Sequence, residues 1–264
     1  MSSLLKSIWG YRGFIFGTVQ REFQLKYSNS LLGGLWAVLN PLAMILVYTV
    51  IFSQVMHSRL PNVDNSFAYS IYLCAGVLTW GLFSEIVSRA QTTFLEHANL
   101  LKKLSFPRLC LPIIVVVNAL LNFSIIFFLF TLFLLVSGNF PGLVFLALLP
   151  VFLILVIFSI GLGISLGVLN VFFRDVGQFF GIFIQFWFWL TPIIYPISIL
   201  PESVRLIMVY NPMYSIISAC QEILINKQWP AWQELLPVTF SALTLCLIAM
   251  HLFRNHSSEI IDEL

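Results

Sequence analysis

The chain has 264 residues, 59% of them hydrophobic and 9% charged, with a mean hydropathy of +0.96 and a net charge of +2. Soluble domains carry about 25% charged residues, so this composition cannot cover a water-soluble globule. The 13 Lys and Arg are dispersed rather than gathered into a stripe, which excludes the electrostatic footprint of a nucleic-acid binder. Bilayer hydrocarbon takes roughly 20 apolar helical residues to cross, and several runs qualify. The pattern predicts an all-α polytopic membrane protein with six transmembrane helices.

In chain order, residues 4–27 place Leu4, Ile8, Tyr11, Ile15 and Val19 at helical spacing among Lys6, Arg12, Arg21 and Lys26. This predicts an amphipathic helix lying at the membrane surface, with an ordinary cytosolic tail as the alternative, because Gly10, Gly13 and Gly17 weaken it and Phe14 falls off the stripe. No apolar core flanked by a small-residue cleavage site stands here, so no cleaved leader is expected. The first span, 31–52, contains Asn40-Pro41, where the missing backbone donor should kink the helix. A polar loop leads to the second span, 67–87, near whose end Glu85 and Arg89, one turn apart, are expected to neutralise each other.

Residues 96–106 predict a short helix stopped by Pro107, with Lys102, Lys103 and Arg108 exposed. The third and fourth spans, 109–136 and 143–173, are separated only by SGNFPG and predict a tight hairpin. Gly161, Gly163 and Gly167 on the fourth should let a neighbouring helix come close. After FFRDVGQ the fifth span, 176–199, is the most aromatic stretch of the chain. Segment 201–227 holds two apolar pieces, each too short to cross, split by Asn211-Pro212 as helix cap and first-turn residue. It reads as a re-entrant hairpin. The sixth span, 235–253, precedes a polar tail. The whole chain is then one transmembrane domain.

Basic residues in short loops set orientation. With the N-terminus inside, ten (Lys6, Arg12, Arg21, Lys26, Arg89, Lys102, Lys103, Arg108, Arg174 and Arg254) are cytoplasmic, against three outside (Arg59, Arg205 and Lys227). Both termini are expected in the cytoplasm.

No G-x-x-x-x-G-K-S/T, H-E-x-x-H or G-x-S-x-G sequence is present, so nothing cradles a nucleotide and no hydrolase centre is written in the chain. Cys74, Cys110, Cys220 and Cys246 sit singly in apolar surroundings without metal-ligand spacing, and no metal site is expected. The span centres carry no ionisable residue, so a proton relay is disfavoured and the driving energy must come from elsewhere. The basic loop with Lys102, Lys103 and Arg108, and the Arg174-Asp175 pair, could dock a soluble partner or merely anchor topology. The aromatic residues of the fifth span, Phe183, Trp187, Trp189 and Tyr195 among them, read either as lipid-facing bulk or as a track on which sugar rings slide.

The stretch LKYSNSLLGGLWAVLNPLAMILVYTVIF, then FFRDVGQ, FWFWLTPIIYP and YNPMYSII in that order and spacing, resembles the ABC-type polysaccharide-export permeases, the membrane half of type-2 ABC exporters. The resemblance covers nearly the whole chain. It implies a homodimer of six-helix subunits in the bacterial inner membrane, paired with two copies of a separate ATPase. It also implies export of an undecaprenyl-diphosphate-linked glycan such as O-antigen, with capsule or teichoic acid as alternatives. ATP and Mg would serve the partner, and this chain would hold no cofactor. Lys102, Lys103, Arg108, Arg174 and Asp175 would meet the ATPase. The fifth-helix aromatics would line the glycan path, with the re-entrant segment closing its outer mouth. One departure is Tyr27-Ser28-Asn29-Ser30, less basic than is usual there. A membrane enzyme acting on lipid-linked sugars is the alternative from another class. It would need one of Asp64, Glu202, Glu222 or Glu234, which show no pairing in the sequence. A passive channel is the third reading.

Overall fold

The computed structural model describes residues 9–27, 32–51, 67–103 and 107–256, together with 259 and 263. Residues 4–8 of the expected surface helix, Ser28 to Ser30, the loop with Asp64, and the outer ends of the first span lie outside the described residues. The described chain is helical: α1 (Arg12–Tyr27), α2 (Trp36–Thr49), α3 (Ala68–Glu96), α4 (Ala98–Lys103), α5 (Cys110–Val136), α6 (Leu148–Phe172), α7 (Asp175–Leu190), α8 (Glu202–Met208), α9 (Pro212–Gln221) and α10 (Trp232–Asn255). Short 3-10 turns at Gly33–Leu35, Gly142–Ala147 and Ile197–Ile199, and a π-helical turn at Glu222–Asn226, join them.

Among the described residues four helices are long and apolar enough to cross a membrane: α3, α5, α10, and α6 with its leading 3-10 turn. The chain is therefore a multi-pass membrane protein by length and composition of its helices. Two expected spans are shorter as regular helix. α2 has 14 residues and α7 has 16, because α7 stops at Leu190 rather than continuing to Ile199. Thr191-Pro192 explains the stop, since the residue before proline is pushed out of the helical region, and Thr191 is extended here. The second helix, by contrast, outruns its expected end at Val87 and continues to Glu96.

α3 is the axis of the bundle. It packs on α5 and α6, and α6 packs in turn on α10. Glycines on α6 set these distances, as their spacing suggested. A Cβ on Gly163 would stand 2.6 Å from that of Ala90, one on Gly167 2.7 Å from the Ala90 carbonyl oxygen, and one on Gly161 2.8 Å from the Cys246 nitrogen. Close approach of this kind is what drives helix association in lipid, where the hydrophobic effect between helices is absent. The α5–α6 hairpin turns through Gly138 and Gly142, both at φ +70°, a region open to glycine at no steric cost.

Two apolar clusters result. The larger follows α3 from Ile71 to Val87 and includes Phe130, Leu155, Ile193, Ile217 and Val238. The smaller gathers Ile15 and Val19 of α1, Phe94, Leu101, Cys110, Leu111, Val168, Val171 and Phe253. It seals one end of the bundle, with α1 strapped across it. Phe14 also joins this cluster, so α1 buries a wider face than the sequence stripe indicated.

Candidate functional site

At the α1 end, polar side chains on three helices converge. Arg89 of α3 pairs with the Glu22 carboxylate of α1, and the same carboxylate oxygen accepts from the Asn118 amide of α5 at 2.8 Å. Asn122 of α5 donates to Glu85 at 3.0 Å and accepts from Lys26 of α1 at 3.4 Å. The expected Glu85–Arg89 neutralisation is thus corrected: each reaches a different helix. Polar groups near hydrocarbon are costly unless bonded, and here every bond crosses between helices, so the network fixes where α1 sits. Two cavities open beside it, of about 360 and 500 Å³, which share Lys26 and Asn122. The second runs along α2 past Trp36, Asn40 and Pro41. Asn118 and Asn122 were passed over in the sequence, although a lone Asn inside an apolar run is itself the signal.

The coupling candidates gather at this same end. Lys102 is exposed on α4, next to Leu101 of the sealing cluster, and Lys103 closes that short helix. Arg108 is half-buried just before α5. Arg174 and Asp175 are exposed in the turn between α6 and α7, where Asp175 faces the positive end of the α7 dipole. Asn170 fastens that turn, accepting from the Gly177 amide at 2.9 Å and donating to the Gln91 carbonyl at 3.2 Å.

The aromatic residues of α7 divide. Phe179, Phe183, Phe186 and Trp189 are exposed. Trp187 turns inward, edge-on to Trp80 and Phe83, and its indole N–H donates to Asn211 at 3.0 Å. Tyr195 lies beyond the end of α7 and its hydroxyl donates to the Trp189 carbonyl at 2.9 Å. Of the four residues singled out, Phe183 and Trp189 therefore stand on the open face, while Trp187 and Tyr195 brace it.

At the opposite end, segment 191–226 closes over α3. Tyr69 donates to the Ile194 carbonyl at 2.6 Å and Tyr72 to that of Tyr195 at 3.0 Å. Asn211 caps α9 by accepting from Met213, with Pro212 in the first turn, and its amide donates to Thr191 at 3.0 Å. Glu222 and Glu234, unpaired in the sequence, come near enough here for one charge to act on the other. Burial and then the Glu234 charge push the Glu222 carboxyl above its ordinary value, against a lowering bond from the Ala231 backbone. Glu202 is exposed in the first turn of α8. Among the described residues no three metal-ligating side chains come together.

A family model described as ABC-2 type transporter matches residues 15–225. The chain is 31% identical over 266 residues, the full length of both proteins, to the O-antigen export system permease protein RfbA of Myxococcus xanthus. It is 30% identical to the Klebsiella pneumoniae protein of the same name, over 92% of this chain and 93% of that one. The polysialic acid transport protein KpsM of Escherichia coli is 24% identical over 76% of this chain and 77% of its own.

Proposed function

The chain belongs to the ABC-2 type transporter family, and from that premise we propose that it is the permease subunit of an ATP-driven exporter of lipid-linked polysaccharide of O-antigen type. The observation that carries this reading is the end-to-end match with a permease of O-antigen export. A capsule polysaccharide is the nearest variant, favoured by the more distant match to a polysialic acid transport protein.

In this reading the substrate carries an undecaprenyl-diphosphate anchor and the membrane is the bacterial inner membrane. The α1 end faces the cytoplasm, as the distribution of basic residues indicates. α2 and α7 complete six spans. No phosphate cradle is written in this sequence, so ATP and Mg serve two copies of a separate ATPase. That partner docks on the loops bearing Lys102, Lys103, Arg108, Arg174 and Asp175. This chain breaks no bond. It converts a push at the α1 end into movement of one subunit against a second copy.

Support for the second copy comes from the open faces of α2 and α7. Leu39, Leu46, Phe179, Phe186 and Trp189 are all exposed, and in a dimer they would meet the other subunit, the glycan, or lipid. Phe183 and Trp189 would offer ring faces to the apolar C–H faces of sugar rings. Such stacking needs no single register and so suits a sliding polymer. The segment after α7 would close the outer mouth.

The test is reconstitution of the chain with its ATPase in lipid vesicles, with hydrolysis followed as lipid-linked glycan is titrated. Stable co-purification and hydrolysis that responds to glycan is the expected result. If no ATPase associates and the chain alone alters the glycan, the enzyme reading replaces this one.

A further inference from the structure

The far end of the bundle holds a cleft of about 330 Å³ that the exporter reading does not use. Tyr72 of α3, Tyr214 and Ser218 of α9, Gln221, Glu222 and Asn226 line it. We propose that this cleft is a carbohydrate-binding subsite that takes one or two sugar rings of the emerging polymer. The inference rests on the polysaccharide-export reading, which places this end outside.

The wall chemistry selects the ligand class. It offers two phenol rings, two amides, two serine hydroxyls and a carboxylate, a mixture of acceptors and donors that matches vicinal hydroxyls. Ile197 and Ile225 add apolar surface against which a ring's C–H face can rest. No Lys or Arg lines the cleft and Glu222 does, so a diphosphate headgroup would meet repulsion rather than a counter-charge. A lipid tail would strand the polar groups. A metal ion would lack ligands, since among the described residues no cluster of three is present. The volume lies at the low end of ligand pockets, roughly 300–1,000 Å³, which fits a short saccharide and not a folded partner.

The backbone is built for this wall. Residues Glu222–Asn226 form a π-helical turn, and Lys227 after it takes a left-handed φ of 54°. Such turns insert one residue into a helix and recur at functional sites, because they re-aim side chains at a cost in regularity. Here the turn brings Glu222, Ile225 and Asn226 onto the cleft together. The opposite wall is preset: the buried Gln221 donates to the Tyr72 carbonyl at 3.4 Å, and Tyr72 is itself tied to Tyr195. Ser198 stands exposed at the rim.

The full chain, assembled with its ATPase in nanodiscs, is screened by saturation-transfer NMR against soluble tri- and tetrasaccharides. These are built from glucose, galactose, mannose, rhamnose and N-acetylglucosamine. At least one should bind wild-type protein, and affinity should fall tenfold or more in Glu222→Ala. Ser198→Trp, a change at an exposed rim position that leaves the core untouched, should block the cleft and produce the same loss. Leu206→Ala, on the exposed side of α8, should bind as wild type. Absence of binding by the whole panel, or equal binding by Glu222→Ala and Ser198→Trp, overturns the proposal. Cell-surface polysaccharide is measured in parallel. If export proceeds but the cleft binds nothing, this inference falls and the exporter reading stands. If saccharide binds with the stated variant pattern, yet cells lacking the chain display unchanged polysaccharide, the exporter reading falls, and the cleft stands only as a saccharide site whose ligand is not an exported polymer.

Discussion

α3 and α7 are both built from apolar and aromatic residues, yet they meet opposite surroundings. Along α3 most positions from Ala68 to Phe94 are covered by α5, α6, α7 or α9; Glu85 and Arg89 reach neighbouring helices, while Thr79, Ser84 and Thr92 bond back to carbonyls of α3 itself. α7 buries only Phe180 fully and leaves Phe179, Phe186 and Trp189 open. Hydropathy says that both belong in or near hydrocarbon and says nothing about which is walled in by protein. The difference separates a helix whose substitutions should be felt in folding from one whose substitutions should leave folding largely intact.

The comparison breaks most sharply at Gly167. A leucine there would drive its Cβ into the Ala90 carbonyl of α3, and overpacking against backbone costs about 3 kcal/mol or more. Gly167→Leu should fail to accumulate or should unfold well below wild type in detergent. Normal thermal unfolding would show that α3 and α6 are not locked at this distance.

Asn211→Ala comes next, at the seam between α7 and α9. It removes a helix cap worth about 1 kcal/mol, leaves the Trp187 N–H without its acceptor and takes one donor from the Thr191 hydroxyl, which keeps its bond to the Trp187 carbonyl, for a total near 2 kcal/mol. A red shift of the tryptophan emission should accompany the fall in melting temperature.

At the α1 end of α3, Arg89→Ala should cost about 1–2 kcal/mol, less than a fully buried pair because both partners are partly solvated. A double-mutant cycle with Glu22→Gln should return a coupling of about 1 kcal/mol, whereas a cycle with Glu85→Gln should return much less. Equal couplings would restore the neutralisation within α3 that spacing alone suggests.

The smallest stability effect is expected on the open face of α7. Trp189→Ala should change stability by no more than about 0.5 kcal/mol, yet lower polysaccharide export in the reconstituted exporter. If stability drops and export per folded molecule is unchanged, that face is packing surface and the sugar track lies elsewhere.

Legibility followed sequence distance. Asn211-Pro212 announced a cap and the structure places a cap there, because capping is a contact between residues two apart. The glycines of α6 announced close approach, although only the folded chain names Ala90 and Cys246 as the neighbours they admit. Glu85 and Arg89 misled because proximity within a helix is only one way to neutralise a charge. Glu22, 67 positions before Arg89, competes successfully once α1 lies across the bundle. The influence of Glu234 on Glu222 was unreadable for the same reason, since the segment joining α9 to α10 is what brings the two charges within reach.

What this sequence determined by itself is its solvent and its punctuation. Long apolar runs demand a bilayer, proline and glycine place the ends of helices, and basic loops suggest an orientation, because each effect acts on a residue and its immediate neighbours. Which faces are covered, which carboxylate meets which cation, and where a π-helical turn opens a cleft were decided only by tertiary structure. In hydrocarbon every apolar face is equally content with lipid, so small differences in close packing and hydrogen bonding between helices choose the partners.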